Sequence, residues 1–288
     1  MKILLGCLNA NDLGGSELYH YELARELKAL GADITLFTLR GINKDSEVRN
    51  KLTSLGIPQV DPYSLNIKES FDIIISSQPA PTRYLISNFP NHPFVNIIHS
   101  EIRSETPLFH SAIKHYIAIR QPIEDFLTKE YHLEKSKVSL IYNPIDQSRF
   151  NVENKVPLEK YTGLFVGEVL DSIRSKPVHH LVGHCIAQDW DLLLMSETFH
   201  DFNHPNIRYV EKRWDTESIL KQVNFTAGIL LGRTTLESRC CEIPSFMYII
   251  DVFGNIQRIE TDVPTDIVKF CDSRYVAEQH LSLYKKLI

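Results

Sequence analysis

The first 39 residues contain the pattern that most restricts the fold of this chain. A short apolar run at residues 3–5 lacks the alternation of a half-exposed strand, which indicates a parallel strand buried on both faces. Polar residues 9–12 follow, then a helical pattern, and then a second apolar run at residues 34–39. This order predicts a strand–helix–strand unit whose helix begins at the carboxyl end of the sheet. Backbone N–H groups at such a helix start bind anions, so we expect a ligand site there.

Two adjacent glycines, Gly14 and Gly15, mark the start of the predicted helix. Ser16 is expected to cap it, and Gly31 is expected to end it. The loop lacks the dinucleotide fingerprint GxGxxG, and Arg40 stands near the end of the second strand, where a nicotinamide enzyme needs an acidic residue. A nicotinamide cofactor is therefore disfavoured. The alternative interpretation is that the glycines only permit a tight turn between strand and helix.

The alternation of buried strands and helices continues along the chain. In the first half, further strands are predicted at residues 57–60, 71–76, 94–99, 115–119 and 138–142. In the second half, they are predicted at residues 163–166, 191–195, 207–210, 225–231 and 245–250. Residues 147–162 are charged and polar, which is typical of a linker. We therefore predict an α/β protein with domains at residues 1–150 and 151–272, followed by a helix at residues 273–288.

Composition excludes several classes of function. With 288 residues, 43% of them hydrophobic, the chain can bury two cores. The formal net charge of -5, without any basic run, argues against nucleic-acid binding. Five cysteines without CxxC spacing predict neither a disulfide framework nor a zinc site, which favours a reducing cytosol. No apolar run reaches the roughly 18 residues of a spanning helix, and the chain starts directly with a strand, so we expect a cytoplasmic protein.

Several motifs, taken in their order, resemble those of glycosyltransferase family four. In the first half they are GGSE at residues 14–17, a strand-closing histidine at position 99, the segment YIAIRQPI, and NPID at residues 143–146. In the second half they are LFVG at residues 164–167 and GRTTLESRCCEIP at residues 232–244. The resemblance covers nearly the whole chain. It implies the GT-B fold, in which two Rossmann-like parallel-sheet domains face a central cleft.

The resemblance also implies transfer of a sugar from a nucleoside-diphosphate sugar, with retention of the anomeric configuration. The N-terminal domain would hold the acceptor (carbohydrate, lipid-linked or protein), the C-terminal domain would hold the donor, and the last helix would cross back to the N-terminal domain. GT-B enzymes generally act without metal, and no DxD motif or metal-ligand spacing stands in a suitable loop. We therefore predict no metal and no other cofactor. Peripheral contact with the inner face of the membrane is left open.

The chemistry of the donor accounts for the predicted catalytic residues. Breaking a sugar–phosphate bond leaves a nucleoside diphosphate, whose negative charge needs cations or oriented N–H groups. Arg174 and Lys176 match the diphosphate-binding pair of the family, and His99 matches a histidine near the reacting sugar. The alternatives are solvated loop charges for the first two and a structural role for the histidine. No nucleophile is assigned.

Other residues are assigned to the donor or the acceptor by the same matches. Glu237 matches the glutamate that holds the ribose diol, since a carboxylate accepts two hydroxyl hydrogen bonds; the alternative is an ordinary helix glutamate. Glu17 and Asn143 are the acceptor-side candidates, and Asp146 is interpreted as a turn residue. The remaining donor contacts are predicted at the two helix starts: Gly14, Gly15, Arg233, Thr234 and Thr235.

Two positions depart from the family pattern. Ile229 stands where the family places a first glutamate against the donor sugar, and Glu168 stands where an arginine commonly follows glycine. These departures keep three hypotheses open. The first is a retaining glycosyltransferase that builds a cell-surface or other glycan. The second is another GT-B reaction, such as nucleotide-sugar epimerisation or hydrolysis, and the third is a non-catalytic GT-B protein that binds a sugar nucleotide or a partner subunit.

Overall fold

The structure is a computed structural model that describes residues 1–43, 45–100, 107–156, 158–167, 172–196, 202–229, 232–250, 255–260 and 267–288. The contacts within the chain divide it into two compact units. The first unit contains Met1–Pro144 together with Phe270–Ile288, and the second contains Ile145–Lys269. Each unit is an α/β structure organised around one sheet.

The first unit has a sheet of seven parallel strands. Ile3 of the first strand lies opposite Ile34 on one side and Ile73 on the other, and these apolar runs are buried on both faces. The spatial order, β3-β2-β1-β4-β5-β6-β7, changes direction between β1 and β4, which makes that gap a topological switch point. The strands are β1 (Lys2–Cys7), β2 (Asp33–Thr38), β3 (Gln59–Val60), β4 (Ile73–Ser77), β5 (Phe94–Ile98), β6 (Ile113–Ala118) and β7 (Val138–Leu140).

Helices connect these parallel strands. They are α1 (Gly15–Ala29), α2 (Glu47–Ser54), α3 (Pro79–Asn88) and α4 (Gln121–Asp125), which continues into a π-helical turn at Phe126–Glu130. Ser46 caps α2 by accepting a hydrogen bond from the Arg49 N–H at 3.2 Å. Gly31, with φ 86°, follows the end of α1 in the left-handed conformation that glycine adopts without strain.

The second unit has a six-stranded sheet in the order β10-β9-β8-β11-β12-β13. The last strand pairs antiparallel with its neighbour and was not predicted from the sequence. Gly163 leaves room for the ring of Phe225 on the neighbouring strand, because a Cβ at this position would lie 2.2 Å from that ring. The strands are β8 (Thr162–Val166), β9 (Asp191–Met195), β10 (Ile207–Val210), β11 (Phe225–Gly228), β12 (Ser245–Ile250) and β13 (Ile256–Glu260), and the helices are α5 (Ser172–Ala187), α6 (Thr216–Leu220), α7 (Arg233–Cys240) and α8 (Ile267–Phe270).

The segment predicted as a linker belongs to the second unit. Arg149 forms an ion pair of 2.6 Å with Glu217 and stacks on the Trp214 ring at 4.8 Å. Further along, the Val156 N–H donates to the Lys221 carbonyl at 3.2 Å. These bonds pair charged and backbone groups of residues 147–162 with other residues of the second unit. Because the segment is held by polar bonds, its composition resembles that of a free linker.

The C-terminal helix α9 (Ser273–Leu287) lies with the first unit. Asp272 caps it by accepting a hydrogen bond from the Tyr275 N–H at 2.9 Å. On the side that packs against α1, the Tyr19 hydroxyl lies 3.0 Å from Nε2 of His280. Val276, Ala277 and Tyr284 of the helix are fully buried there. Burial of this apolar face stabilises the packing of α9 against α1.

Among the residues that the structure describes, none of the helices is both long enough and apolar enough to cross a membrane.

Candidate functional site

In the first unit, the predicted site residues gather at the carboxyl edge of the sheet, next to the switch point. Gly14 precedes α1, Gly15 is the first residue of that helix, and His99 follows the end of β5. The T-shaped contact between the rings of Tyr19 and His99, with centroids 4.9 Å apart, connects this histidine to α1. The glycine loop and His99 are therefore brought to one region.

The start of α1 differs from the expectation that Ser16 caps it. Gly14 is the capping residue, in an extended conformation and without a side-chain cap, and the Leu18 N–H donates to its carbonyl at 3.0 Å. A Cβ at Gly14 would lie 2.3 Å from Oε2 of Glu17, so a side chain there would displace this carboxylate. The Glu17 carboxylate thus lies over the position where a capping side chain would stand, beside the partial positive charge of the helix start.

His99 is held as a neutral imidazole. Burial, together with the nearby His20 and Arg120, lowers the pKa of His99 to about 3. Its Nε2 is buried and makes no hydrogen bond within the described ranges. A buried, unsatisfied ring nitrogen carries a desolvation cost that a hydroxyl group of a ligand would remove.

His20 is a residue of this region that the sequence did not indicate. Its Nδ1 lies 2.6 Å from the Ser16 carbonyl oxygen and its Nε2 lies 2.9 Å from Oγ of Ser77. Because a carbonyl oxygen only accepts, Nδ1 carries the proton and Nε2 accepts from the Ser77 hydroxyl. Burial lowers the pKa of His20 to about 4, which keeps it neutral. This histidine ties the first turn of α1 to the end of β4.

The NPID motif lies at the division between the two units. Asn143, an acceptor-side candidate, is buried in the first unit. Asp146 lies in the second unit, where its Oδ1 accepts from the Ser148 N–H at 3.1 Å and from the Ser148 hydroxyl at 2.6 Å. The interpretation of Asp146 as a turn residue is confirmed by these bonds.

In the second unit, the predicted donor residues lie at the start of α7, which follows β11. Nε of Arg233 donates to Oε1 of Glu237 at 2.6 Å, and both side chains are only 6% exposed. Glu237 is therefore not an ordinary exposed helix glutamate. Thr234 is partly exposed, whereas Thr235 is buried. One oxygen of Glu237 is already engaged, so its remaining capacity as an acceptor lies mainly on the other.

Buried hydroxyl groups fix α7 against the sheet. Oγ of Ser238 donates to the Thr234 carbonyl oxygen at 2.6 Å, and Oγ1 of Thr226 lies 2.7 Å from the same Oγ. Since the Ser238 proton is used on Thr234, the Thr226 hydroxyl is the donor of the second bond. These bonds hold the helix that carries Glu237 at one position relative to β11.

The other positions singled out from the sequence of this unit are Glu168, Arg174, Lys176 and Ile229. Arg174 and Lys176 were expected in a loop after β8, but both positions lie in the first turns of α5, because the helix begins at Ser172. Lys176 is exposed, and the side chain of Arg174 lies outside the described part, as does the whole of Glu168. Ile229 packs against the hydrophobic core around Phe225 and Tyr248. The partly buried Ile229 thus extends the apolar packing around this core.

Within the residues that the structure covers, no group of three or more His, Cys, Asp or Glu side chains could hold a metal ion. The five cysteines are buried, and burial raises the pKa of both Cys185 and Cys241 to about 12. These two thiols are therefore packing groups with little thiolate character.

Comparison with known proteins agrees with this architecture. Many solved structures match, among them a glycosyltransferase from Rickettsia africae ESF-5, with 14% identity and a TM-score of 0.67 over 99% of this chain and 98% of that one. HepE from Anabaena in complex with UDP-glucose has 12% identity and a TM-score of 0.64, over 100% and 98% of the two chains. The catalytic domain of starch synthase IV from Arabidopsis thaliana, bound to ADP and acarbose, has 8% identity and a TM-score of 0.61, over 99% and 98%.

Two Rossmann-like units with these strand orders, shared with glycosyltransferases over the whole chain, define a protein of the GT-B fold. Residues 13–149 also match the family model for Glycosyltransferase Family 4. A sequence search of curated proteins gives no match.

Proposed function

We propose that this protein transfers a sugar from a nucleoside-diphosphate sugar to an acceptor, with retention of configuration and without a metal ion. The observation that carries the proposal is the buried Arg233–Glu237 pair at the start of α7, in a chain of the GT-B fold. A buried ion pair is costly to build, and its desolvation makes it a weak stabilising element. Its position at a helix start after a parallel strand favours a binding role.

On this proposal the second unit binds the donor. The first N–H groups of α7, at Thr234 and Thr235, donate to the diphosphate, and Arg174 and Lys176 supply positive charge as the leaving group departs. Glu237 accepts from the ribose hydroxyls mainly with the oxygen that is not bonded to Arg233, while the hydrogen bond from Arg233 orients the carboxylate. Since Ile229 belongs to the core, contacts to the donor sugar come from the helix start.

The first unit then binds the acceptor and the reacting sugar. A neutral His99, with a pKa near 3, offers a hydrogen bond to a sugar hydroxyl and does not act as an acid at neutral pH. The amides of Gly14 and Gly15 at the start of α1 suit an anionic group of a substrate, and Glu17 and Asn143 contact the acceptor. Carbohydrate, lipid-linked and protein acceptors all suit this chemistry, as in the synthesis of a cell-surface glycan at the cytoplasmic face of the membrane.

Named relatives support a nucleotide-sugar donor. HepE is described in complex with UDP-glucose and starch synthase IV with ADP, so proteins of this fold bind donors or products with different bases. A hexosyl group on a nucleoside diphosphate is therefore the donor class that we propose for this chain.

The test is a turnover assay on the full chain with UDP-, GDP- and ADP-sugars, each with and without carbohydrate and lipid-linked acceptors. The anomeric proton coupling of the product, measured by NMR, reports whether configuration is retained. We expect transfer with retention, and equal rates with and without EDTA. An inverted product would contradict the retaining mechanism, and an activity lost in EDTA and restored by magnesium or manganese would contradict the metal-free one.

Binding without turnover is the second candidate, because the acidic side chain expected against the donor sugar is replaced by the core residue Ile229. In the same assay this candidate predicts calorimetric binding of a sugar nucleotide with neither transfer nor hydrolysis. Release of free sugar without any acceptor would favour hydrolysis instead.

A further inference from the structure

Gln78 has a backbone conformation that residues other than glycine rarely adopt. It follows β4 directly, at the switch point of the first sheet, and precedes Pro79, the first residue of α3. Its φ is 65° and its ψ is 145°, in the region of positive φ that a Cβ disfavours. A glycine would adopt these angles without strain, whereas the glutamine adds a side chain whose hydrogen bonds can offset a strained backbone.

The Gln78 side chain takes the place of a missing backbone acceptor. The parallel register of β1 and β4 ends with Gly6 opposite Ser76, so Leu8 and Gln78 are the residues two positions further along each strand. The backbone of Gln78 has already turned into the start of α3, and its Oε1 accepts the Leu8 N–H at 2.9 Å. This bond extends the contact between the two strands beyond the last backbone pair.

The same side chain reaches the first turn of α1. Its Nε2 donates to Oγ of Ser16 in a long bond of 3.4 Å. The Ser16 carbonyl is held in turn by His20, whose other nitrogen bonds to Ser77, the neighbour of Gln78. Residues 8–16, including the glycine loop, are thus fixed at both ends from the end of β4.

We propose that Gln78 is a positioning residue for the reaction: its side chain fixes both ends of the loop between Leu8 and Ser16, and thereby the amides of Gly14 and Gly15. Gln78 makes these bonds from its strained backbone conformation. This inference rests on the proposed function, because the loop must contact substrate for its position to affect turnover. A loop that is free to move places the same donors less accurately, and inaccurate placement lowers the rate.

Two substitutions at this position separate strain from hydrogen bonding. Gln78→Gly relieves the backbone and removes both side-chain bonds, whereas Gln78→Met keeps the length of the side chain and removes only the bonds. His132→Gly is the matched control, because His132 lies in the same unit with φ 54°, is exposed, and makes no hydrogen bond to any residue the structure describes.

We expect kcat/KM to fall about tenfold or more in both Gln78 variants, while His132→Gly stays within about twofold of the wild type. The melting temperature of Gln78→Gly should stay within about 3 °C of the wild type or rise, because strain relief offsets the lost bonds. In Gln78→Gly, hydrogen exchange of the Leu8 amide, followed by NMR, should become faster. A residue with only a structural role would instead lower stability together with turnover.

Three results would overturn the assignment: an active wild type with Gln78→Gly within about twofold of it, a melting temperature that falls in step with the rate, or an unchanged Leu8 amide. If the wild-type protein shows no turnover on any donor, the proposed function is contradicted, and the proposed role of Gln78 is contradicted with it. The wild-type arm of the assay therefore distinguishes the two failures.

Discussion

The Tyr19 hydroxyl lies 3.0 Å from Nε2 of His280, in a buried hydrogen bond between residues 261 positions apart. His280 Nδ1 lies 2.5 Å from the Tyr284 hydroxyl, and the Tyr19 ring packs edge-on against His99. The last helix of the chain is thus connected through α1 to a candidate site residue. A neutral imidazole can donate through only one of its nitrogens, so each tyrosine hydroxyl depends on the tautomer of His280.

Acidification should destabilise the first unit. Burial lowers the pKa of His20 to about 4 and that of His280 to about 3, whereas both take the ordinary value of 6.5 when unfolded. The unfolded chain then binds more protons below pH 6.5, so their contribution to stability is complete above that pH and decreases towards pH 4. Each histidine contributes a slope of up to about 1.4 kcal/mol per pH unit.

Urea unfolding between pH 7 and pH 5 measures this slope. The variant His280→Gln should show a shallower loss of stability on acidification than the wild type, whereas His132→Gln, which changes an exposed histidine, should follow the wild type. Identical pH profiles for His280→Gln and the wild type would contradict burial of a neutral His280.

Removing the Tyr19 hydroxyl should cost stability. Tyr19→Phe leaves Nε2 of His280 without its partner, and an unsatisfied buried polar group costs about 1–3 kcal/mol. The control is Tyr275→Phe, which removes the hydroxyl of a tyrosine in α9, the helix of His280. Tyr275 is 39% exposed, so its variant should lose little stability. Equal losses in denaturant unfolding for the two variants would argue against the buried bond.

A chain that ends at Asp272 should lose solubility or thermal stability. Deleting α9 exposes the apolar surface of α1 that Val276, Ala277 and Tyr284 now cover. Light scattering and a thermal melt would detect the change, and a truncated chain that behaves as the full one does would show that the helix is dispensable.

Lys176→Ala and Arg174→Ala should each weaken donor binding. A charged hydrogen bond to a diphosphate contributes about 1.5–3 kcal/mol, which calorimetry resolves as roughly a tenfold loss of affinity or more. Lys129→Ala, an exposed lysine of the other unit, is the matched control. Unchanged affinity in both variants would mean that these residues are solvated charges on α5.

Glu237→Gln should weaken binding of the ribonucleotide more than binding of its 2′-deoxy analogue. The amide keeps the shape of the side chain but loses the charge and half of the acceptor capacity. It also weakens the ion pair with the buried Arg233, and breaking such a pair costs about 3–5 kcal/mol, so a lower melting temperature is expected as well. Because both nucleotides are measured on the same variant, a general effect on the fold cancels in the comparison. Equal losses of affinity for the two nucleotides would show that Glu237 does not contact the ribose.

Much of this fold follows from local sequence. Runs such as residues 73–75 or 192–194 are apolar throughout, which is typical of a strand buried on both faces, and the parallel strands were predicted for this reason. The strand β13 was missed because it has no buried apolar run: Gln257, Arg258 and Ile259 in its middle are all exposed. An antiparallel edge strand depends on pairing with β12, and the local pattern does not contain that information.

The candidate site divides in the same way. The glycine pair and the strand-closing histidine stand out in the sequence because each follows a buried strand, whereas Glu237 was predicted through the family resemblance. His20, His280 and Gln78 carry no such signal. Their roles come from burial and from partners up to 261 positions away, as for Tyr19 and His280. The sequence alone determined which segments are buried strands and where they end. Only tertiary packing decided which side chains bury, orient and neutralise one another, because the whole fold sets the distances between them.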